Sequence, residues 1–191
     1  MQNMSMIEET IESLSAKLLG LDPGPLAELR RMQPDGPGTP IFWRLAAQYN
    51  FRDPDLGAWK QIVRILALLT PRGSRSGDAR LHERSRRLGA VLCDGGNPAW
   101  PPPGPEPNPA LSEQRLARFL AMSSAQRGDA LERIARLLAR TRDPQSGINC
   151  VEIARLLLYP DDVRQLQDIA RDYYSKLDRA AKQSTKQEGT A

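Results

Sequence analysis

The chain has 191 residues, 40% of them hydrophobic and 5% aromatic, with 27 basic against 23 acidic side chains and one histidine. That length suffices for one domain or two small ones without disulfide or metal staples, and no apolar run approaches the roughly 18 residues of a membrane span. A single histidine excludes multi-histidine metal centres and leaves little for a His-assisted nucleophile, which favours functions that bind over functions that react.

Apolar residues recur at helical spacing along most of the chain. Ile7, Ile11, Leu14 and Leu18 form one stripe, predicting a first helix over 6–19 that ends near Gly20. Asp22-Pro23 starts a second with Leu26, Leu29 and Met32, and Thr39-Pro40 a third, a short buried helix whose Ile41, Trp43 and Leu45 cannot all face water. Asp53-Pro54 opens a fourth with the body LGAWKQIVRILALL, stopped by Pro71. After the polar loop RGSRSGD, Leu81, Leu88, Val91 and Leu92 predict a helix over 79–93, with His82 on its surface.

Seven of the twelve residues from 98 to 109 are proline, a composition that excludes helix and favours an extended linker or surface excursion. Beyond it, Ser112 caps EQRLARFLAMS, Asp129 begins ALERIARLLART, Asn149 caps CVEIARLLLY and Asp161-Asp162 opens the last helix. The polar tail from Lys182 is expected to fray. The resulting expectation is an all-α protein of two helical-bundle halves, 1–97 and 111–182, joined by a proline-rich linker or loop at 98–110, with a disordered tail at 183–191.

The basic residues are distributed unevenly. Arginine supplies 22 of them and lysine 5, and residues 60–142 balance to +8 whereas 1–59 balance to −3 and 143–191 to −1. A guanidinium fork matches phosphate oxygens and is weakly hydrated, so an arginine-rich middle favours a phosphate-bearing partner, above all nucleic acid. A charged row on an amphipathic helix ordinarily serves only as a solvated face. Here the clusters are the signal: Arg30 and Arg31, Arg44, Arg84 and Arg87, Arg115 and Arg118, Arg133 and Arg136, and Arg155 are the candidate nucleic-acid-binding residues. Of these, Arg31, Arg115 and Arg136 are expected to share one face.

No phosphate-loop, dinucleotide or CxxC motif occurs, Cys93 and Cys150 read as small buried hydrophobes, and no catalytic residue, metal or cofactor is expected. Asp161 and Asp162 are explained by helix capping, which leaves a metal nuclease with too few carboxylates. The absence of base-reading modules and of free aromatic platforms predicts sequence-blind backbone contact. The rival reading is a helical adaptor whose basic face docks an acidic protein. The opening residues MQNMSMIEETIESL lack the features of a secretory signal, so the expected compartment is the cytoplasm, with no membrane partner.

Leu29-Arg30-Arg31 followed by Pro40-Ile41-Phe42-Trp43-Arg44-Leu45 resembles the start of the CasB family, the small subunit of the type I-E CRISPR complex Cascade. Further matches in the family's order are Leu88 to Leu92, Ser112 to Leu120, Ala130 to Thr141 and Ile153 to Tyr159, so the resemblance covers about residues 24–178. It implies a non-enzymatic, all-helical protein present as a homodimer in antiviral defence. Its implied partners are the crRNA-binding backbone and large subunits, and DNA during R-loop formation, especially the displaced single strand. The family's basic positions carry over to Arg31, Arg115, Arg136 and Arg155. Asp55 stands where the family has a basic residue, and the proline-rich segment is longer than the family's turn.

Overall fold

The computed structural model describes residues 4–72, 77–101 and 107–188, with the backbone alone at position 4 and at 184–188. Residues 73–76 of the polar loop, 102–106 of the proline run and 189–191 of the tail lie outside the described residues. The described chain forms nine α-helices and no sheet: α1 Met4–Leu19, α2 Pro23–Arg31, α3 Pro40–Tyr49, α4 Leu56–Leu69, α5 Leu88–Asp94, α6 Glu113–Leu120, α7 Ser124–Thr141, α8 Cys150–Leu158 and α9 Val163–Glu188. The all-α expectation is met.

The apolar stripes meet in one continuous core. Ile7, Ile11, Leu14 and Leu18 of α1 are all buried, as is the body of α4 from Trp59 to Leu69 except Lys60, Gln61 and Arg64. Each fully buried Leu or Ile contributes about 2 kcal/mol relative to exposure. Helix α4 is the central element and packs on α2, α7 and α8, so the segments on either side of the proline run share this core. Phe51 stacks on Trp59 with centroids 4.1 Å apart. Helix α9 lies along α5, where Gly89 is required: a Cβ there would fall 2.2 Å from the carbonyl oxygen of Ile169.

Three expected starts move. The fourth helix opens at Leu56 behind Asp55, not at the Asp53-Pro54 pair, which lies in the preceding turn. Helix α7 starts at Ser124, five residues before Asp129, because Ala125 and Gln126 continue the turn after Ser123 without a breaker. The predicted helix over 79–93 begins only at Leu88.

Residues 80–83 instead run extended beside 144–148, and 84–86 turn before α5. Arg80 N donates to Pro144 O, Ile148 N to Leu81 O, Glu83 N to Ile148 O and Asn149 N to Arg86 O. These bonds satisfy backbone groups that a helix would have satisfied internally. The approach depends on Gly147, where a Cβ would sit 2.6 Å from that of Glu83. Leu81 and Leu88 are buried as expected, but seven-residue spacing does not require the chain between them to be helical. His82 is therefore half-buried in this extended segment, not a surface helix residue, and its Nδ1 accepts from Cys150 N at 3.1 Å.

The ends of the proline-rich excursion are tied together. Ala110 N donates to Cys93 O and Leu111 N to Leu92 O, while Trp100 Nε1 donates to Asn108 O. Helix α6 consequently starts beside the residues that end α5, and Tyr173 of α9 donates its hydroxyl to Leu111 O at 2.6 Å. Helix α9 continues through Glu188, beyond Lys182 where the sequence pattern places the tail.

Candidate nucleic-acid interface

Eight of the ten candidate arginines fall into three environments. Arg115 and Arg118 stand three apart on α6 and face Arg133 of α7 across a groove of about 340 Å³. Residues three apart on a helix are neighbours on one face, so the two guanidiniums of α6 flank one stretch of groove. Its floor is Leu111, Phe119, Met122, Ala130, Ile134 and Leu137, and among the described residues no carboxylate lines it. All three arginines are exposed, and none forms an ion pair with a described residue. Arg136 and Arg140 extend this row along α7, Arg136 with a 3.4 Å contact to Glu132 one turn back.

A second group lines a cleft of about 250 Å³ between α1, α8, α9 and the segment before α5. Arg84, Arg87 and Arg155 are brought together there, beside Glu8, Glu152 and Asp168. Arg84 pairs with Glu8, Arg87 contacts Glu152 at 2.5 Å and Asp172 at 3.1 Å, and Arg155 lies 3.9 Å from Asp162. Burial raises the carboxyl pKa of Glu152 from the usual range, while its bond from Leu88 N and the charge of Arg87 pull the other way. The cleft is nearly charge-balanced.

The third environment is the helix C-terminus. Arg30 Nε donates to Ala67 O at 2.8 Å and its Nη2 to Thr70 O at 2.7 Å, closing the end of α4. Three arginines outside the candidate set act alike. Arg64 donates to Met32 O behind α2, Arg127 to Pro160 O and Met122 O, and Arg142 to Leu69 O, Arg80 O and Ser146 O. Unpaired carbonyls concentrate partial negative charge at these ends, and a guanidinium satisfies several at once. Arg31 at the end of α2 and Arg44 on α3 are exposed and lie outside both the groove and the cleft.

Arg31 and α7 are nevertheless linked by contacts. Arg64 bonds the carbonyl of Met32, next to Arg31, and also reaches Glu132 at 3.2 Å, the carboxylate shared with Arg136. Burial raises the Glu132 pKa, opposed by Arg64 and then Arg136.

The matched part of the chain covers nearly all of these elements. The profile of CRISPR-associated protein Cse2 (CRISPR_cse2) matches residues 25–174. The chain belongs to the Cse2 family. This is the CasB small-subunit family of the type I-E complex that the arginine and aromatic motifs resemble. In fold, the chain is similar to a protein in the crystal structure of E. coli Cascade bound to a PAM-containing dsDNA target, with a TM-score of 0.62 and 19% identity over 88% of this chain and 97% of that one. No curated protein matches the sequence.

Two features of this Cse2 chain escaped the sequence. Trp43, one of three apolar residues of α3 that cannot all face water, is 46% exposed beside Arg44, with its Nε1 donating to Pro37 O. Phe42, Leu45 and Ala46 fill the buried face of α3, so Trp43 falls on its outer side. The apolar floor of the groove was also invisible, because its residues come from α6, α7 and the segments preceding and following α6. Among the described residues no helix is long and apolar enough to cross a membrane, and no group of three or more His, Cys, Asp or Glu could hold a metal ion.

Proposed function

We propose that this chain serves as the nucleic-acid-holding small subunit of a type I-E Cascade, without a catalytic step of its own. Two copies sit beside the crRNA-binding backbone and the large subunit and hold DNA, especially the displaced strand, while the R-loop forms in the cytoplasm as antiviral defence. Family membership supports the assembly. The observation that carries the DNA contact is the arginine triad Arg115, Arg118 and Arg133 around a groove lined by no carboxylate among the described residues. R-loop formation exchanges one duplex for another of similar stability, so a few phosphate contacts to the displaced strand are enough to tip it.

Arg133, Arg136 and Arg140 recur along α7, and Arg31 and Arg44 are further exposed cations available to a bound strand. Engagement of roughly four to six phosphates on single-stranded DNA gives a log–log salt dependence of about −3 to −4. Filter binding of mixed-sequence single strands over a salt series measures it. A slope near zero, or no retention at low salt, removes the holding role and leaves an adaptor for an acidic protein.

A further inference from the structure

We infer that the groove between α6 and α7 receives an unstacked base of single-stranded nucleic acid while the arginines at its rim hold the phosphates on either side. This inference rests on the nucleic-acid-holding reading and adds what the strand must present.

Phosphate alone does not account for the groove. A backbone-tracking surface needs cations over polar ground, whereas here three guanidiniums surround Leu111, Met122, Ala130, Ile134 and Leu137. The occupant that satisfies both parts carries anionic charge outside and an apolar face inside. An unstacked base between consecutive phosphates has that pattern. A duplex keeps its bases stacked within the helix and offers this surface only phosphates.

The groove is short along α6, which has eight residues and is therefore about 12 Å long. A single planar ring between Arg115, Arg118 and Arg133 needs no more than the groove provides. The cleft at Arg84, Arg87 and Arg155 has the same number of arginines, but Glu8, Glu152 and Asp168 stand among them and would repel a phosphate.

The part of the floor open to an occupant is Met122 and Leu137, since Leu111, Phe119, Ala130 and Ile134 are each buried. Contact with it is tolerant of base identity, as apolar contact to a base face is in general. The groove thus selects single-stranded over double-stranded DNA without reading sequence.

The test compares the intact chain's affinity for a thymidine oligonucleotide with that for one of equal length carrying abasic sites at its centre, at fixed salt. The abasic strand is expected to bind about fivefold more weakly, the scale of one lost base contact. Leu137→Asn, at the half-buried edge of the floor, should bind both strands alike while circular dichroism shows its helix content unchanged. Ala130→Leu, which adds volume at the buried floor, should do the same with its helix content unchanged. Equal binding of the two strands by the unaltered protein overturns the inference, leaves phosphate holding intact and gives the groove to a protein partner. Full discrimination retained by both folded variants also overturns it, because the base contact then lies elsewhere. Failure to bind either strand sinks the holding function as well.

Discussion

The groove between α6 and α7 and the cleft between α1, α8 and α9 each gather three of the predicted arginines, yet they are built for different purposes. In the cleft each guanidinium meets a carboxylate: Arg84 meets Glu8, Arg87 meets Asp172 as well as Glu152, and Arg155 meets Asp162. In the groove Arg115, Arg118 and Arg133 form no ion pair with a described carboxylate. Desolvating a paired arginine to bind phosphate gives up one anion for another, whereas an unpaired exposed arginine gives up only water and a counterion. Under the proposed holding role, the groove rather than the cleft is therefore the surface open to phosphate.

Gly89→Val carries the largest expected effect and tests whether the cleft side is rigid. The added side chain must displace the backbone at Ile169 of α9, so stability to urea should fall by about 3 kcal/mol. A loss below about 1 kcal/mol means that α5 and α9 part readily and that the cleft's ion pairs are not held in place by packing.

Next in size is the triple substitution Arg115→Ala, Arg118→Ala and Arg133→Ala. Single-strand affinity should drop about tenfold or more and the salt slope should shallow by about 2, at 0.7 per lost contact. Thermal stability should change little, because exposed substitutions away from special features stay within about 0.5 kcal/mol each. An unchanged slope in isothermal titration across salt would show that these guanidiniums never touch phosphate.

The matching triple in the cleft, Arg84→Ala, Arg87→Ala and Arg155→Ala, sharpens the contrast. DNA affinity should change less than about twofold, while stability falls by about 1 kcal/mol, the scale of partly exposed ion pairs. Equal loss of DNA binding from both triples erases the distinction between the two regions.

The smallest effect concerns pH. Burial lowers the His82 pKa from 6.5, against the raising influence of Glu12 and the backbone bond to Ile148. A histidine with a depressed folded pKa adds stability that is fully present above pH 6.5 and is lost as the pH falls through the folded value. The melting temperature should therefore decline on acidification below pH 6.5, and His82→Asn, whose Oδ1 can still accept from Cys150 N, should decline less. Identical acid profiles would place the titration elsewhere.

The helices were readable from local pattern. The stripes of α1 and α4 and the proline at the start of α2 and α3 act within one or two turns, and the structure places those helices where the stripes do. The segment before α5 was not readable, because Leu81 and Leu88 are buried for either conformation and the choice was made by hydrogen bonds to residues 144–149, some sixty positions away. The place of Trp43 was not readable for a related reason: three apolar residues competed for one face of α3, and neighbouring helices took Phe42 and Leu45.

The arginines divide along the same line. Composition and clustering favoured a phosphate-bearing partner over generic solubility, and motif order pointed to the family that the profile match shows. Which of them face a partner could not be read locally, since an all-helical fold creates many carbonyl-rich ends that attract the same guanidiniums. Arg30 closes α4 through Ala67 and Thr70, and Arg142 reaches Leu69, 73 residues away. A helix is specified by neighbours a turn apart, but the role of a charge is settled by whichever acceptor the folded chain brings within 3 Å, and that acceptor is seldom its neighbour in sequence.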